Sequence, residues 1–325
     1  MLVSLRNYSN YSICESNIKI DDLVNFASKN NLSAIGLTDY KLLSGSLEFS
    51  IKCQKAGIQP IIGLDIDYVS ILGHSKRVTF LSKSEEGFKN LNILSTEVNT
   101  NNNFLLNENN IKNYANGNIL ILGGLYSYFD DIPINQKNLN KVLNEIKNLK
   151  EIFKNDLFFE YDPNLNNILL KEVSKKLEIP LFNSFFSFYK STNDFDAMQI
   201  LHCVKNGEYL QNSTFKINNN YSLDKSVDSS DKSLVLNSQL IAQKINFLIK
   251  EKPISLPNFS KGLASDEDSE IIKQSRSGLD LRLKKLFKDF SIEDFNKKSK
   301  IYRDRLEYEL NVITKMKFSG YFLIV

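Results

Sequence analysis

Few side chains in this sequence could bind a transition metal or form a nucleophile–base pair. Its 325 residues include only two histidines, His74 and His202, and three cysteines. Zinc sites and most nucleophilic catalysis depend on these residue types. Cys14, Cys53 and Cys203 are dispersed without a Cys-x-x-Cys spacing. This pattern indicates reduced thiols and argues against a disulfide framework or a cysteine zinc site.

The two histidines are poorly placed for chemistry. His74 follows Gly73 in a predicted hairpin turn, and we interpret it as an exposed turn residue. His202 precedes Cys203 in a predicted helix, and adjacent helical residues point about 100° apart. We therefore do not expect His202 and Cys203 to act as a base and its nucleophile.

Two predicted strands end in residues that sometimes carry function. Gly123 and Gly124 follow one strand, but neither a G-x-x-x-x-G-K-[ST] nor a G-x-G-x-x-G pattern follows them, so a simple turn is favoured over a phosphate-binding loop. Glu160 and Asp162 end another strand, a position at which the carboxylates of β/α barrels are often catalytic.

The elements that must position these residues alternate between short apolar runs and helical patterns. The predicted strands are residues 2–5, 34–37, 60–68, 76–81, 119–122, 157–161 and 179–183. The predicted helices between and after them are residues 20–29, 47–56, 85–98, 139–153, 165–177 and 194–204. Repeated strand–helix units predict a parallel β/α architecture, and its functional residues are expected at the carboxyl ends of the strands.

The remainder of the chain has a different character. Residues 206–233 are polar and loop-rich, with a short predicted strand at 214–217, and a helix is predicted at 238–248. Pro253, Pro257 and Gly262 then indicate a linker. Further helices are predicted up to residue 286 and over 301–316, before an apolar end at 321–325 that is typical of a structural element cut short.

Charge and hydropathy exclude some classes of protein. The formal net charge is +3, too small by itself to indicate a nucleic-acid-binding protein. We interpret the basic residues of 284–305 as solvated helix faces interspersed with acidic residues. No apolar run is long enough for a membrane span and no secretory signal is recognisable, so we predict a cytoplasmic protein with no membrane partner.

Several short stretches are each weak motifs, but their order and spacing along the chain are highly specific for one family. They are residues 11–12, 37–40, 56–65, 84–91, 194–197, 302–313 and 318–325. Together they resemble bacterial DNA polymerase III alpha subunits, from the amino-terminal PHP (polymerase and histidinol phosphatase) domain to the beginning of the palm. The resemblance implies an α/β fold: a PHP-type distorted β/α barrel over residues 1–205, a loop-rich extension and linker over 206–262 packed on it, and the helical start of the palm over 263–325.

Active PHP domains bind a cluster of divalent metals through histidines and carboxylates at strand ends, and the cluster activates water. Most of the matching positions differ here. Arg6 and Tyr8 stand at the family's His-x-His, Tyr40 follows Asp39 where the family has Asp-His, Arg77 replaces a later histidine, and Phe186 and Phe188 occupy an aspartate and a histidine position. Asp39 and Asp65 remain, and two carboxylates could hold at most one hydrated Mg²⁺. We predict no metal site.

These exchanges suggest what replaces the metals. Arg6 or Arg77 could pair with Asp39 or Asp65 and neutralise carboxylates that would otherwise repel each other. The rings of Tyr8, Tyr40, Phe186 and Phe188 could fill the vacated volume. For Glu160 we favour a structural role, because Asn164 stands where the family has a histidine.

The resemblance also implies what this chain lacks. The polymerase family transfers nucleotides with palm aspartates that hold two Mg²⁺ ions, and these aspartates and the nucleotide-binding loop come later than the motif at 318–325. We therefore predict no catalytic residue, no nucleotide-binding residue and no cofactor in this chain. The parent polymerase would use Mg²⁺ and bind DNA, and its partners would be the proofreading exonuclease subunit and other subunits of the holoenzyme.

Two other functions compete with this interpretation. The first is a metal-dependent PHP phosphoesterase or 3′-exonuclease, which the absence of histidine at positions 8, 40, 77 and 188 disfavours. The second is a stand-alone, non-catalytic binding module, which the palm-like ending disfavours.

Overall fold

The computed structural model of the protein describes residues 3–126, 128–129, 136–183, 186–213, 221–225, 232–251, 259 and 266–325. The chain forms two compact units, Met1–Glu251 and Lys252–Val325. The first unit contains residues 1–205, where we predict the barrel, and much of the extension that we predict over 206–262. The predicted strand at 214–217 and the predicted linker residues Pro253, Pro257 and Gly262 lie outside the described residues.

A single mixed sheet organises the first unit. Its strands are β1 Val3–Ser4, β2 Ala34–Leu37, β3 Gln59–Val69, β4 Ser75–Ser82, β5 Leu106–Asn107, β6 Asn118–Gly123, β7 Leu157–Tyr161 and β8 Leu181–Asn183. They are ordered β1-β2-β3-β4-β6-β7-β8, with the short β5 beside β3. β4 runs antiparallel to both of its neighbours, β3 and β6, whereas the other pairs are parallel.

The sheet curls until its two edge strands meet. An isolated parallel bridge joins Asn7, just after β1, to Ser187, just after β8, and the backbone N–H of Tyr8 donates to the carbonyl of Ser187 at 3.3 Å. The expected α/β class and distorted, barrel-like curl are confirmed, with the antiparallel strand β4 as the distortion. The carboxyl ends of β1 and β8 consequently face the same interior.

Helices cover the outside of the curl. They are α1 Ile20–Lys29, α2 Ser46–Lys55, α3 Glu85–Thr100, α4 Gln136–Phe153, α5 Ile168–Leu177, α6 Phe195–Asn206 and α7 Lys232–Lys244. α4 buries one apolar face, on which Val142, Ile146 and Leu149 are fully inaccessible to solvent. α7 begins and ends earlier than the predicted 238–248. It ends where the Gln59 side chain donates to the carbonyls of Ala242 and Ile245.

Strand alternation decides which side chains point into the curl. In β3, Leu64, Ile66 and Tyr68 belong to the large apolar core beneath the helices. Successive strand residues point to opposite faces, so Asp65 points to the interior of the curl. The interior is therefore polar near the strand ends, whereas Ile61, Leu81 and Phe158, which lie on the same strand faces as Asp65, Thr79 and Glu160, belong to a separate apolar cluster.

The second unit is helical. It contains α8 Glu267–Leu286, α9 Ile292–Lys315 and α10 Ser319–Ile324. α9 begins nine residues earlier than the predicted Ile301, because Ser291 caps it by accepting a hydrogen bond from the Asp294 N–H at 3.2 Å. Within the described ranges, no helix is long and apolar enough to cross a membrane.

Candidate functional site

Arg6 lies at the centre of the curled sheet, just after β1, and only 2% of it is exposed. One guanidinium nitrogen, Nη1, donates to the carboxylate of Glu160 and, at 3.3 Å, to the carbonyl of Gly123. The other, Nη2, donates to Asp65 and to the Tyr8 hydroxyl, both at 3.0 Å. One cation therefore joins the carboxyl end of β7 to the middle of β3.

Neighbouring negative charges keep the buried Arg6 protonated. Burial acts to lower the pKa of Arg6, but the negative charges of Glu160 and Asp65 outweigh burial and raise the pKa above its ordinary value. Both carboxylates are fully buried. Removing the guanidinium would take away the cation that both buried carboxylates contact, and breaking a buried ion pair in this way is strongly destabilising.

Both carboxylate oxygens of Asp65 are already occupied. Oδ1 accepts from Arg6 and, at 2.7 Å, from the Thr79 hydroxyl. Oδ2 accepts from the Tyr8 hydroxyl at 2.6 Å and lies 3.6 Å from the Arg77 guanidinium. Burial and the charge of Asp65 raise the pKa of Tyr8 well above its usual value, so its hydroxyl remains a donor.

Aromatic rings fill the space beside this ion pair. The rings of Tyr8 and Phe188 stack at 4.7 Å between centroids, and Phe186 stacks parallel to Phe188 at 6.1 Å. The guanidinium of Arg6 lies 4.0 Å above the Phe186 ring. Gly124, with φ of +71°, permits this packing, since a Cβ atom there would come within 2.3 Å of the Phe186 ring.

Asp39 has a different environment, in which its hydrogen-bond donors are hydroxyl and backbone groups. It accepts hydrogen bonds from the Ser9 N–H and hydroxyl, both at 2.7 Å, and from the Ser12 hydroxyl at 2.6 Å. Burial raises the pKa of Asp39, and the hydrogen bonds from Ser12 and Ser9 offset this only partly. Of the two predicted carboxylates, only Asp65 pairs with the predicted arginines.

Arg77 lies at the rim of the interior. It forms a bidentate ion pair with Glu15 at 2.8 and 2.7 Å, and its guanidinium lies 3.8 Å above the Tyr40 ring. Lys205 of α6 reaches the same Glu15 carboxylate at 2.5 Å. Burial acts to raise the pKa of Glu15, but Arg77 and Lys205 outweigh it and hold the pKa below its usual value.

The rim encloses a small cavity of about 150 Å³. Its lining residues are Cys14, Glu15, Arg77, Tyr126, Phe188, Met198, His202 and Lys205. His202 thus lies at the rim and contacts Asn206 at 2.8 Å, whereas His74 is exposed in the turn between β3 and β4. The structure does not bring the two histidines together.

The donor set at the centre does not fit the metal cluster of an active PHP domain. Phe186 and Phe188 carry no ligand atom, and hydrogen bonds occupy the oxygens of Asp39 and Asp65. Across the part of the chain that the structure describes, no three His, Cys, Asp or Glu side chains form a group that could hold a metal ion. A guanidinium occupies the place where carboxylates converge.

Sequence reasoning missed some members of this site. Glu160 was named for its position at the end of β7 and given a structural role, but its ion pair with Arg6 was not predicted. Thr79 lies directly opposite Asp65 in the β3–β4 pair, so the register of that hairpin would have placed it. For Glu15, in the loop after β1, we find no comparable signal in the sequence.

Two protein families match this chain, one within the first unit and one within the second. Residues 4–164 match the PHP domain family, and residues 270–325 match the family described as bacterial DNA polymerase III alpha NTPase domain. DNA polymerase III subunit alpha of Buchnera aphidicola is 30% identical over 99% of this chain, and that of Rickettsia bellii is 30% identical over 99%. The chain spans 29% of the length of each of these two relatives.

Among solved structures, an amidohydrolase from Chromobacterium violaceum aligns with 58% of this chain and 88% of its own, at 8% identity and a TM-score of 0.41. A likeness this distant supports no inference about chemistry.

Proposed function

We propose, from the premise that this chain belongs to the family of bacterial DNA polymerase III alpha subunits, that its PHP domain serves as a structural scaffold in a replicative polymerase. Family membership rests on the two matched families and on relatives aligned along 99% of the chain. The structural role is the new element, and it concerns the interior of the curled sheet.

The observation that carries the proposal is the Arg6 ion pair. Its guanidinium contacts both Asp65 and Glu160, so the interior carboxylates are neutralised by a side chain of the chain itself. A fixed cation of this kind offers no exchangeable position for water and cannot lower the pKa of a bound water as a metal does. The paired interior therefore supports packing and not hydrolysis.

The activity of the parent protein follows only from its relatives. By that resemblance the parent is a DNA-directed DNA polymerase of the cytoplasm that acts on DNA with Mg²⁺ in its palm. The present chain alone would not extend a primer. The scaffold would hold the palm and dock the proofreading exonuclease subunit, together with other subunits of the holoenzyme.

Metal content and hydrolysis test the structural role. The purified chain is incubated with Zn²⁺ or Mn²⁺, desalted and analysed by mass spectrometry of its metals, and then assayed on a phosphodiester and on a 3′-labelled oligonucleotide. We expect substoichiometric metal and no turnover, because Arg6 occupies the interior. Stoichiometric metal together with turnover that disappears in Asp65→Asn would overturn the proposed structural role. That result would support a metal-dependent phosphoesterase or 3′-exonuclease.

Asp67→Asn is the matched control, since Asp67 lies two residues further along β3 and is partly exposed. Turnover that survives both substitutions would indicate a contaminating nuclease and would leave no activity attributable to the interior. Docking of the exonuclease subunit is tested separately, by co-purification with the wild-type chain.

A further inference from the structure

The positive charge of the chain is concentrated in one short segment of the second unit. Residues 281–300, which we call the hairpin tip, contain seven Lys and Arg and three Asp and Glu, a net charge of +4. The other residues of the chain carry 34 basic and 35 acidic side chains, a net charge of −1. The overall charge of +3 is therefore a property of the hairpin tip.

The two long helices of the second unit hold the hairpin tip in a defined shape. α8 and α9 run antiparallel, since Arg276 pairs with Glu307 at 2.7 Å and Arg303 pairs with Asp280 at 2.9 Å. At the turn between the helices, the buried Phe287 packs against the rings of Phe290, Phe295 and Tyr302. The cations of the tip consequently project from a packed element.

The cations of the hairpin tip differ from those of the adjoining helices. Arg276, Arg303 and Arg305 all have acidic partners. All seven cations of the tip are exposed, and within the described residues none of them forms an ion pair. Six of them are Arg282, Lys284, Lys285, Lys288, Lys297 and Lys300. Lys298 lies over the ring of Phe290 at 4.4 Å.

A purely local role explains only part of this pattern. Lys284 and Lys285 lie in the last turn of α8, where cations stabilise the helix dipole. That explanation does not extend to Lys297 and Lys300, which lie in the second and third turns of α9, near its positive end. Like charges without partners repel each other, and a bound anion would relieve that repulsion.

We propose that the hairpin tip binds the phosphate backbone of a nucleic acid. This inference rests on the proposed function, which places the chain in a polymerase that acts on DNA. Flexible lysines are suited to the neutralisation of evenly spaced phosphates, a contact that releases counterions and requires no particular base sequence. DNA presents about one phosphate charge per 1.7 Å of its axis, so one helical turn of the tip faces several phosphates.

Binding is measured by fluorescence anisotropy of the full chain with fluorescein-labelled duplex DNA, and with single-stranded DNA of the same length, over a salt series. We expect the logarithm of the association constant to fall linearly with the logarithm of the salt concentration. In Lys285→Gln/Lys288→Gln/Lys297→Gln, affinity should fall at least tenfold at low salt, and the slope should become shallower by about 2.7, or about 0.9 per lost phosphate contact.

A charge-matched control distinguishes the effect of this site from the effect of the overall charge of the chain. Lys29→Gln/Lys55→Gln/Lys112→Gln removes three exposed lysines of the first unit and should change affinity less than twofold. Equal losses in both variants, or no binding by the wild-type chain, would overturn the proposal. Preferential binding to anionic phospholipid vesicles over either DNA would also overturn it, since a membrane surface would then be the partner. Circular dichroism of each variant excludes loss of fold.

This experiment is independent of the test of the scaffold. Absence of DNA binding leaves the metal content and hydrolysis results of the first unit unchanged. Conversely, a metal-dependent hydrolase in the first unit would not alter the salt slope that the hairpin tip determines.

Discussion

The centre of the curled sheet and the hairpin tip both depend on cationic side chains, but they use them in opposite ways. Arg6 is buried and contacts two carboxylates, whereas the lysines of the hairpin tip are exposed and have no acidic partner among the described residues. A buried charge must be neutralised within the protein, because its desolvation costs several kcal/mol, about the net stability of a small domain. An exposed charge is solvated and remains available to a partner. Burial thus distinguishes a structural cation from a binding cation.

The largest expected effect is loss of the buried cation. Arg6→Met keeps an apolar side chain of similar length but removes the cation that contacts both Asp65 and Glu160. We expect the first unit to lose about 3–5 kcal/mol of unfolding free energy, as for other broken buried pairs. Urea unfolding followed by circular dichroism at pH 7 measures this loss.

Two further variants serve as controls for Arg6→Met: one replaces the buried carboxylates as well, and the other breaks an exposed ion pair. In Arg6→Met/Asp65→Asn/Glu160→Gln both buried carboxylates are replaced by neutral amides, so a large part of the lost stability should return. Arg276→Met breaks an ion pair whose partners are both more than half exposed, and it should change stability far less. If Arg6→Met were as mild as Arg276→Met, the central ion pair would not be the buried stabilising contact described above.

A smaller effect is expected at Asp39, which hydroxyl and backbone donors satisfy without a cation. Asp39→Ala leaves the Ser9 and Ser12 donors buried and unsatisfied, and we expect a loss of about 2–3 kcal/mol. Burial raises the pKa of Asp39, so the neutral Asp39→Asn should cost clearly less in the same urea assay. Equal losses in Asp39→Ala and Asp39→Asn would indicate that the charge of Asp39 is required.

The smallest effect concerns Glu15 at the rim and depends on pH. The pKa of Glu15 is lowered in the folded protein, so its ion pairs stabilise the fold above the ordinary value near 4.5. This stabilisation is lost as the pH falls through the lowered pKa. Glu15→Gln should therefore cost about 1–2 kcal/mol at pH 7 and almost nothing at strongly acidic pH. A difference that persists unchanged in acid would show that the loss is one of packing.

Much of the fold followed from local sequence patterns. The alternation of apolar runs and helical patterns identified the elements of the first unit, because periodicity depends only on neighbouring residues. The ends of elements were less certain. α9 begins at its Ser291 cap, which the prediction overlooked, and α7 ends where the distant Gln59 side chain binds its last carbonyls. A contact of that second kind has no signature near the helix itself.

The site was predictable where the resemblance supplied positions. Arg6, Asp65, Tyr8, Phe186 and Phe188 were identified from the exchanged residues, and the structure brings them together. The choice of Asp65 over Asp39 as the partner of the arginines was not predictable. It depends on the loop after β1, whose two serines satisfy Asp39.

By itself the sequence determined the class of the fold and the identity of the side chains at the interior positions, because both depend on residue type and order. Only the tertiary structure decided which charges neutralise each other. The curl brings residue 6 within hydrogen-bonding distance of residues 65 and 160, which are far apart in the chain. It also decided that the lysines of residues 281–300 remain exposed, because the packing of α8 on α9 buries Phe287 and leaves the cations at the surface. Pairing and exposure are properties of distance and solvent access, and these arise only when the chain folds.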